Sequence, residues 1–265
     1  MRLGAISFVN TLPIYSGLTS SAVLFPGSSV LSDAMMADGL HYASPAELNH
    51  LVIEGQLDVS PVSAACYIRN RDDLVVLDNL SVSSFGSVES VLFLSSVPLT
   101  PDAFDLPVIP VPDDSETSVA LLAELLRRKT GKDWRDRFYV YSAEQYQAMI
   151  ERYGAALVIG DNALMSQSYL PERLHCYDLA SLWFEETHLP IVFAVWVARK
   201  EWVEQHPELF HAVNQRLCGS KALFFQEPAI QAQAIEIACK QCKIKSPVSA
   251  TDTEGLVALV RRYFT

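Results

Sequence analysis

Short hydrogen-bonding side chains gather in this chain wherever an apolar run stops, a placement suited to gripping a small polar or anionic molecule with neutral groups. The opening run Gly4-Ala5-Ile6-Ser7-Phe8-Val9-Asn10-Thr11-Leu12-Pro13 delivers Ser7, Asn10 and Thr11 at the carboxyl end of an apolar strand, where open α/β sheets hold small ligands. The same residues also suit a buried first strand followed by a helix N-cap. A second strand exit, Leu57-Asp58-Val59-Ser60-Pro61-Val62-Ser63, presents Ser60 and Ser63, with Asn49 on the helix before it. The plainer alternative has Ser63 capping the next helix and Asn49 facing water.

Three further places carry the same chemistry. Ser83-Ser84-Phe85-Gly86-Ser87 is either a hinge turn or a ligand contact, with glycine allowing close backbone approach. Ser115, Thr117 and Ser118 crowd a helix start, where unpaired N–H groups and the helix dipole favour an anion. A carboxylate there gains roughly 0.3–1 kcal/mol from the dipole and about 1.5–3 kcal/mol per charged hydrogen bond. Val158-Ile159-Gly160-Asp161-Asn162 is a strand stopped by a glycine and an acid, and Asp161 either N-caps the next helix or lines a cleft. Phe8, Phe85, Trp183 and Phe184 lie near these points and could enclose a ring.

Other chemistries are excluded by what the chain lacks. No Ser/His/Asp or Cys/His set is visible, and the six histidines show no HExxH or other ligand spacing, so no metal is expected. Neither GxGxxG nor GxxxxGK[ST] occurs, which argues against a dinucleotide or nucleoside triphosphate; no cofactor is expected. Cys239-Lys240-Gln241-Cys242 is a lone CxxC in a helical pattern, read as incidental. The five cysteines, an odd and scattered set, suit reduced thiols in a cytoplasmic protein. A net charge of -11 opposes binding to nucleic acid or to anionic membranes. The start of the sequence has no signal-peptide pattern, and no apolar run is long enough to span a bilayer.

The elements that must position these groups follow from the apolar pattern. A chain of 265 residues with 50% hydrophobic content supplies a substantial core. Strand-length runs alternate with helical periods, which reads as α/β with mainly parallel sheets. Strands are predicted at Leu3–Phe8, Leu57–Val62, Leu74–Leu77, Val88–Leu94, Val108–Val111, Phe138–Tyr141, Ala156–Ile159, Leu174–Tyr177 and Ile191–Ala198. Ser44-Pro45-Ala46-Glu47 is a capping box with proline in the first turn, opening a helix that stops at Gly55. A second helix opens around Asp114-Ser115 and stops at Gly131, and the region from Lys200 onward reads as helical. The stretches around Phe85–Leu94 and Pro190–Ala198 read as crossings between two lobes. Residues 1–87 with 195–265 make lobe I, and residues 88–194 make lobe II.

Taken in order, several segments resemble the chorismate dehydratases of the futalosine route to menaquinone. The carriers are Val9-Asn10-Thr11-Leu12-Pro13, Pro45-Ala46-Glu47-Leu48-Asn49, Leu57 through Ser63, Ser90-Val91-Leu92-Phe93, Ser115 through Leu122, Ile159-Gly160-Asp161, and Leu189 through Trp196. A sister family, the dihydroxynaphthoate synthases, is similar in several segments but typically has histidine where this chain has Gly160. The resemblance implies a two-lobed periplasmic-binding-protein (type II) fold. Each lobe is then a mixed, mainly parallel sheet flanked by helices, with a ligand cleft between the lobes. It implies a hydro-lyase acting on dianionic chorismate without a cofactor. Asn10, Ser84 and Asp161 are then the catalytic candidates. Ser7, Thr11, Asn49, Ser60, Ser63, Ser115, Thr117, Ser118 and Gly160 are the substrate-binding ones. The competing expectation is a non-catalytic small-carboxylate-binding protein or sensor of the same fold.

Overall fold

Leu3–Ile6, four buried residues in an extended run, forms β1 and sets the pattern of the molecule. The computed structural model describes residues 1–6, 8–16, 18, 40–167, 171–234 and 236. A short turn leads from β1 into α1 (Leu12–Tyr15), and β2 (Leu40–Ala43), α2 (Pro45–Ile53), β3 (Val59–Ser63), α3 (Ala64–Arg69) and β4 (Leu74–Ser84) follow. Next come β5 (Val91–Ser95), β6 (Ile109–Pro112), α4 (Glu116–Thr130), β7 (Phe138–Tyr141), α5 (Tyr146–Tyr153), β8 (Ala155–Ile159) and α6 (Gly160–Ser166). The described chain continues through β9 (His175–Asp178), α7 (Leu179–Thr187), β10 (Ile191–Arg199), α8 (Lys200–Gln205) and α9 (Pro207–Gln226). It divides into two units, Met1–Val82 with the segment from Ala194, and Ser83–Phe193.

In the first unit the sheet order is β2-β1-β3-β10-β4. β1 is parallel to β2 and to β3, whereas β10 runs antiparallel to β3, from Ala198 opposite Val59 to Ala194 opposite Ser63. Both faces of the inner strands β1, β3 and β10 are covered, so these read as nearly continuous apolar runs, with alternate residues going to opposite layers. Leu3, Ala5, Trp196 and Ala198 pack with Tyr15, Leu77, Val213 and Leu217 on one face. Ile6, Val62 and Val197 pack with Leu48, Val52 and Leu74 on the other. Trp196 Nε1 donates to the Tyr15 hydroxyl at 3.0 Å, which satisfies the buried indole and ties α1 to β10. Gly4 allows the layers to approach: a Cβ there would run into Ser60 Oγ and lie 2.9 Å from Leu48 Cδ2.

In the second unit β5 runs antiparallel to both its neighbours, β8 and β9, while β6 and β7 are a parallel pair and β6 also lies against β8. The parallel preference expected from the alternating pattern therefore holds in β1-β2-β3 and β6-β7. It gives way at β5, which runs against β8 and β9, and at β10, which runs against β3. Leu92, Leu94, Tyr141, Met149, Ala156, Val158 and Ala163 form a core cluster. Phe93, Phe104 and Trp134 make another, with edge-on ring contacts at 6.2 and 5.0 Å.

The serine half of the capping box is realised: Ser44 Oγ accepts from Glu47 N–H at 3.3 Å, and the helix ends before Gly55 at φ +71°. α4 stops at Gly131, φ +74°, as its sequence predicts. β2 went unpredicted because His41 and Tyr42 are exposed and only Ala43 is buried. β4 runs well past Leu77: Asn79 at φ +61° interrupts the apolar run, which hid the continuation, and Leu80 is again buried.

Candidate functional site

At the end of β1, Val9–Thr11 make a single 3-10 turn that feeds α1, with Pro13 early in the helix. Thr11 is buried, and its hydroxyl lies 3.0 Å from the Ile6 carbonyl and 2.9 Å from that of Phe8. The Thr11 proton is thus engaged in holding the turn. Asn10 differs. Its Oδ1 is buried and accepts no hydrogen bond from the described residues. Leaving a buried acceptor unmade costs about 1–3 kcal/mol, which singles Asn10 out among the polar side chains of this turn. Ser7 lies outside the described residues.

The second strand exit is built as a clamp. Asn49, on α2, donates from Nδ2 to Ser63 Oγ at 3.1 Å and accepts from Ser63 N–H at 2.9 Å. Ser63 Oγ also accepts from Cys66 N–H at 3.0 Å and so caps α3. Asn49 is buried rather than facing water, because α2 packs its inner face onto β3. Ser60 is wholly buried beside Gly4, its hydroxyl 3.0 Å from the Pro61 carbonyl. Nearby, Asp58 accepts from Arg2 at 2.7 Å (Nη2 to Oδ1) and 2.8 Å (backbone N to Oδ2). Burial works against its charge, but the Arg2 bonds outweigh it and hold the Asp58 carboxyl below its ordinary pKa.

In the second unit, Ser115 occupies the N-cap position of α4, yet its side chain does not cap the helix. Its hydroxyl instead pairs with Ser118 Oγ at 2.7 Å. Ser118 is buried and Thr117 half-buried in the same turn. Gly160 opens α6 at φ +58° and donates its N–H to the Ser90 carbonyl at 2.7 Å. Asp161 is the second residue of that helix rather than its N-cap and is 2% exposed. The capping alternative for Asp161 is therefore not realised, because β8 runs directly into the helix.

The serine-rich turn is tightly wound. Ser84 Oγ lies 3.0 Å from the Gly86 carbonyl and 2.6 Å from that of Ser87, so it is bonded within its own turn. Gly86 needs its freedom for conformation, at φ +101° with open space around it. Phe85 is 71% exposed and rests on the Phe184 ring at 4.6 Å between centroids. Asp178, absent from the sequence-derived candidates, accepts hydrogen bonds both from this turn and from the start of α7. Its place just before Leu179-Ala180-Ser181 is an N-cap signature; its bonds to the turn have no sequence signal.

The structure thus joins Asn49 to Ser63 and Ser115 to Ser118 directly, and sets Asn10 beside Thr11. Among the described residues, no group of three His, Cys, Asp or Glu side chains is placed to hold a metal ion. No described helix is long and apolar enough to cross a membrane. Cys239 and Cys242 lie outside the described residues. The arrangement offers neutral donors and acceptors, which bind and orient, rather than a nucleophile with its base.

Comparison with known proteins adds identity to this geometry. A chorismate dehydratase of Thermus thermophilus is 34% identical over 174 residues, covering 60% of this chain and 61% of that protein. The match therefore spans less than two thirds of the relative. A solved structure from Archaeoglobus fulgidus superimposes with a TM-score of 0.71 at 17% identity, covering 100% of this chain and 88% of that one. The periplasmic aliphatic sulphonate binding protein of Escherichia coli does so with 0.59 at 11% identity, over 99% of this chain and 82% of that one. A Candida albicans protein described as having the generic periplasmic binding protein fold gives 0.50 at 12%, over 99% of this chain and 90% of that one. The fold is thus periplasmic-binding-protein-like. A family model described as menaquinone biosynthesis matches residues 1–264, and the chain belongs to that menaquinone biosynthesis family.

Proposed function

We propose that this protein is a chorismate dehydratase, a hydro-lyase that converts chorismate to 3-[(1-carboxyvinyl)oxy]benzoate in menaquinone biosynthesis through futalosine. The observation that carries this reading is the 34% identity to an enzyme of that name, inside a family match spanning residues 1–264. The chemistry suits the groups present. The C3–H and C4–O bonds of chorismate break, a proton and a hydroxide leave as water, and the ring becomes aromatic. Aromatisation supplies the driving force, so the protein has to orient the diene, manage one proton and ease the departure of hydroxide.

Each unit is proposed to contribute to substrate binding. The hydroxyls of Thr117 and Ser118 at the start of α4 and that of Ser63 at the end of β3 take the two carboxylates. The helix start adds its dipole to that attraction. Asn10, whose Oδ1 lacks a partner among the described residues, contacts the C4 hydroxyl, and Ser84 contacts the ring. Ser7, Thr11, Asn49, Ser60, Ser115 and Gly160 support these groups, Asn49 through its two bonds to Ser63. An amide is no base. Asp161 and Glu89 are the candidate protein bases, but an ionised carboxylate beside a dianion is repelled. The enolpyruvyl carboxylate of the substrate is therefore assigned the C3 proton. The protein is also proposed to work in the cytoplasm, where the described cysteines, Cys66, Cys176 and Cys218, stay as thiols.

Purified protein mixed with chorismate should produce the ultraviolet spectrum of a substituted benzoate and a product lighter by one water. Chorismate that binds yet persists unchanged under stoichiometric protein would instead establish a carboxylate-binding protein.

A further inference from the structure

Asp178 closes β9, and both of its carboxylate oxygens are engaged. Oδ1 accepts from the N–H groups of Ala180 and Ser181, each at 3.0 Å, and so caps α7. Oδ2 accepts from the Ser87 hydroxyl at 2.9 Å and from the N–H groups of Val88 and Glu89 at 3.0 and 2.7 Å. A helix cap requires only the first pair. The second set reaches some ninety residues back along the chain to a turn with two positive φ angles, +101° at Gly86 and +58° at Glu89. The latter is a conformation that side chains bearing a Cβ rarely adopt and that persists only where the surroundings enforce it. The same turn is braced a second time by the Phe85 ring on Phe184, a residue of α7 itself. Segment 178–184 therefore holds the turn at two points, one polar and one aromatic.

We propose that Asp178 is a positioning residue for the reaction: by tying residues 87–89 to the start of α7, it fixes the aim of Ser84 and Phe85. This rests on the dehydratase assignment and on the place of Ser84 in it. Two acceptor oxygens are needed here, since donors converge on both. An asparagine has one oxygen and would turn an NH2 group toward either the turn or the helix start.

The full-length protein, its Asp178→Asn and Asp178→Glu variants, and an Asp133→Asn control on the exposed Asp133–Arg135 pair would be compared by amide hydrogen exchange and by steady-state kinetics with chorismate. In Asp178→Asn, exchange at Val88 and Glu89 should accelerate at least tenfold while Leu92–Leu94 of β5 keep their protection. Its kcat should fall ten- to a hundredfold with KM within threefold. Asp178→Glu should recover part of both effects, and the control should match wild type. Unchanged exchange at Val88 and Glu89, an undiminished kcat, or equal loss of protection along β5 would each overturn the assignment. Wild-type protein that leaves chorismate intact sinks the dehydratase reading by itself. In that case the exchange rates still decide whether Asp178 holds the turn.

Discussion

Among single residues, Asn10 carries the sharpest prediction, because its buried amide oxygen has no donor among the described residues. Asn10→Ala should cut kcat for chorismate by about a hundredfold, equivalent to roughly 2.7 kcal/mol of transition-state stabilisation, and leave the melting temperature unchanged or higher. Full turnover in that variant would remove Asn10 from the site. Thr117→Ala deletes one hydroxyl assigned to a carboxylate, worth about 1.5–3 kcal/mol; KM should rise roughly ten- to a hundredfold in initial-rate assays with little change in kcat. Asp161→Asn separates the two proton routes. With the substrate carboxylate as base, kcat should stay within about tenfold of wild type; a loss of several orders of magnitude with product binding intact would make Asp161 the base. At this scale the sequence shows which residues are polar but not what their polar atoms face. Thr11, Asn49 and Ser63 look alike as candidates, yet the Thr11 hydroxyl locks its turn and Asn49 clamps Ser63, and only the packing of α2 on β3 brings the latter two together.

At the scale of elements, the register of the first sheet depends on polar ties at its ends as well as on its core. Asp58, at the entrance to β3, accepts from the side chain and backbone of Arg2 and lies 3.5 Å from Arg199 Nη2. Its folded pKa is lowered relative to its unfolded one, so its stabilisation is complete above the unfolded value near 4 and fades as pH falls through the folded value. Because Arg2 is half exposed, water screens the pair, and about 1 kcal/mol is the fitting scale. Asp58→Asn should lower the melting temperature at pH 7 by roughly 2–4 °C, and the difference from wild type should shrink toward pH 2 in thermal melts. An undiminished difference at acid pH would show that the charge is not the cause. Helix punctuation is the most legible part of the chain. Ser44, Gly55 and Gly131 act as their types dictate, since capping is local chemistry. Asp178 is legible as a cap for the same reason, while its hold on Val88 and Glu89 arises from β5 and β9 lying side by side.

For the molecule as a whole, the second unit is one continuous segment, Ser83–Phe193, whereas the first is assembled from two. The second unit has its own clusters, one around Leu92, Tyr141 and Met149 and the other of Phe93, Phe104 and Trp134. A fragment spanning 83–193 should therefore unfold cooperatively in urea, monitored by Trp134 and Trp183 fluorescence; a gradual, non-cooperative loss would show that its core depends on the remainder. Apolar runs bounded by turn residues locate most strands, since a strand buried on both faces has few ways to look otherwise. Strand direction is less legible: β5 and β10 are as apolar as their neighbours yet run against them, because direction is set by the connection and not by the side chains.

β10 has an interior seat, between β3 and β4, but leaves the ribosome more than a hundred residues after them. Until it arrives, two apolar strand edges stand bare on the nascent chain. Such edges invite pairing with other polypeptides, so slowed translation just ahead of Ile191, or scarcity of a chaperone that shields them, should lower soluble yield without touching the finished protein.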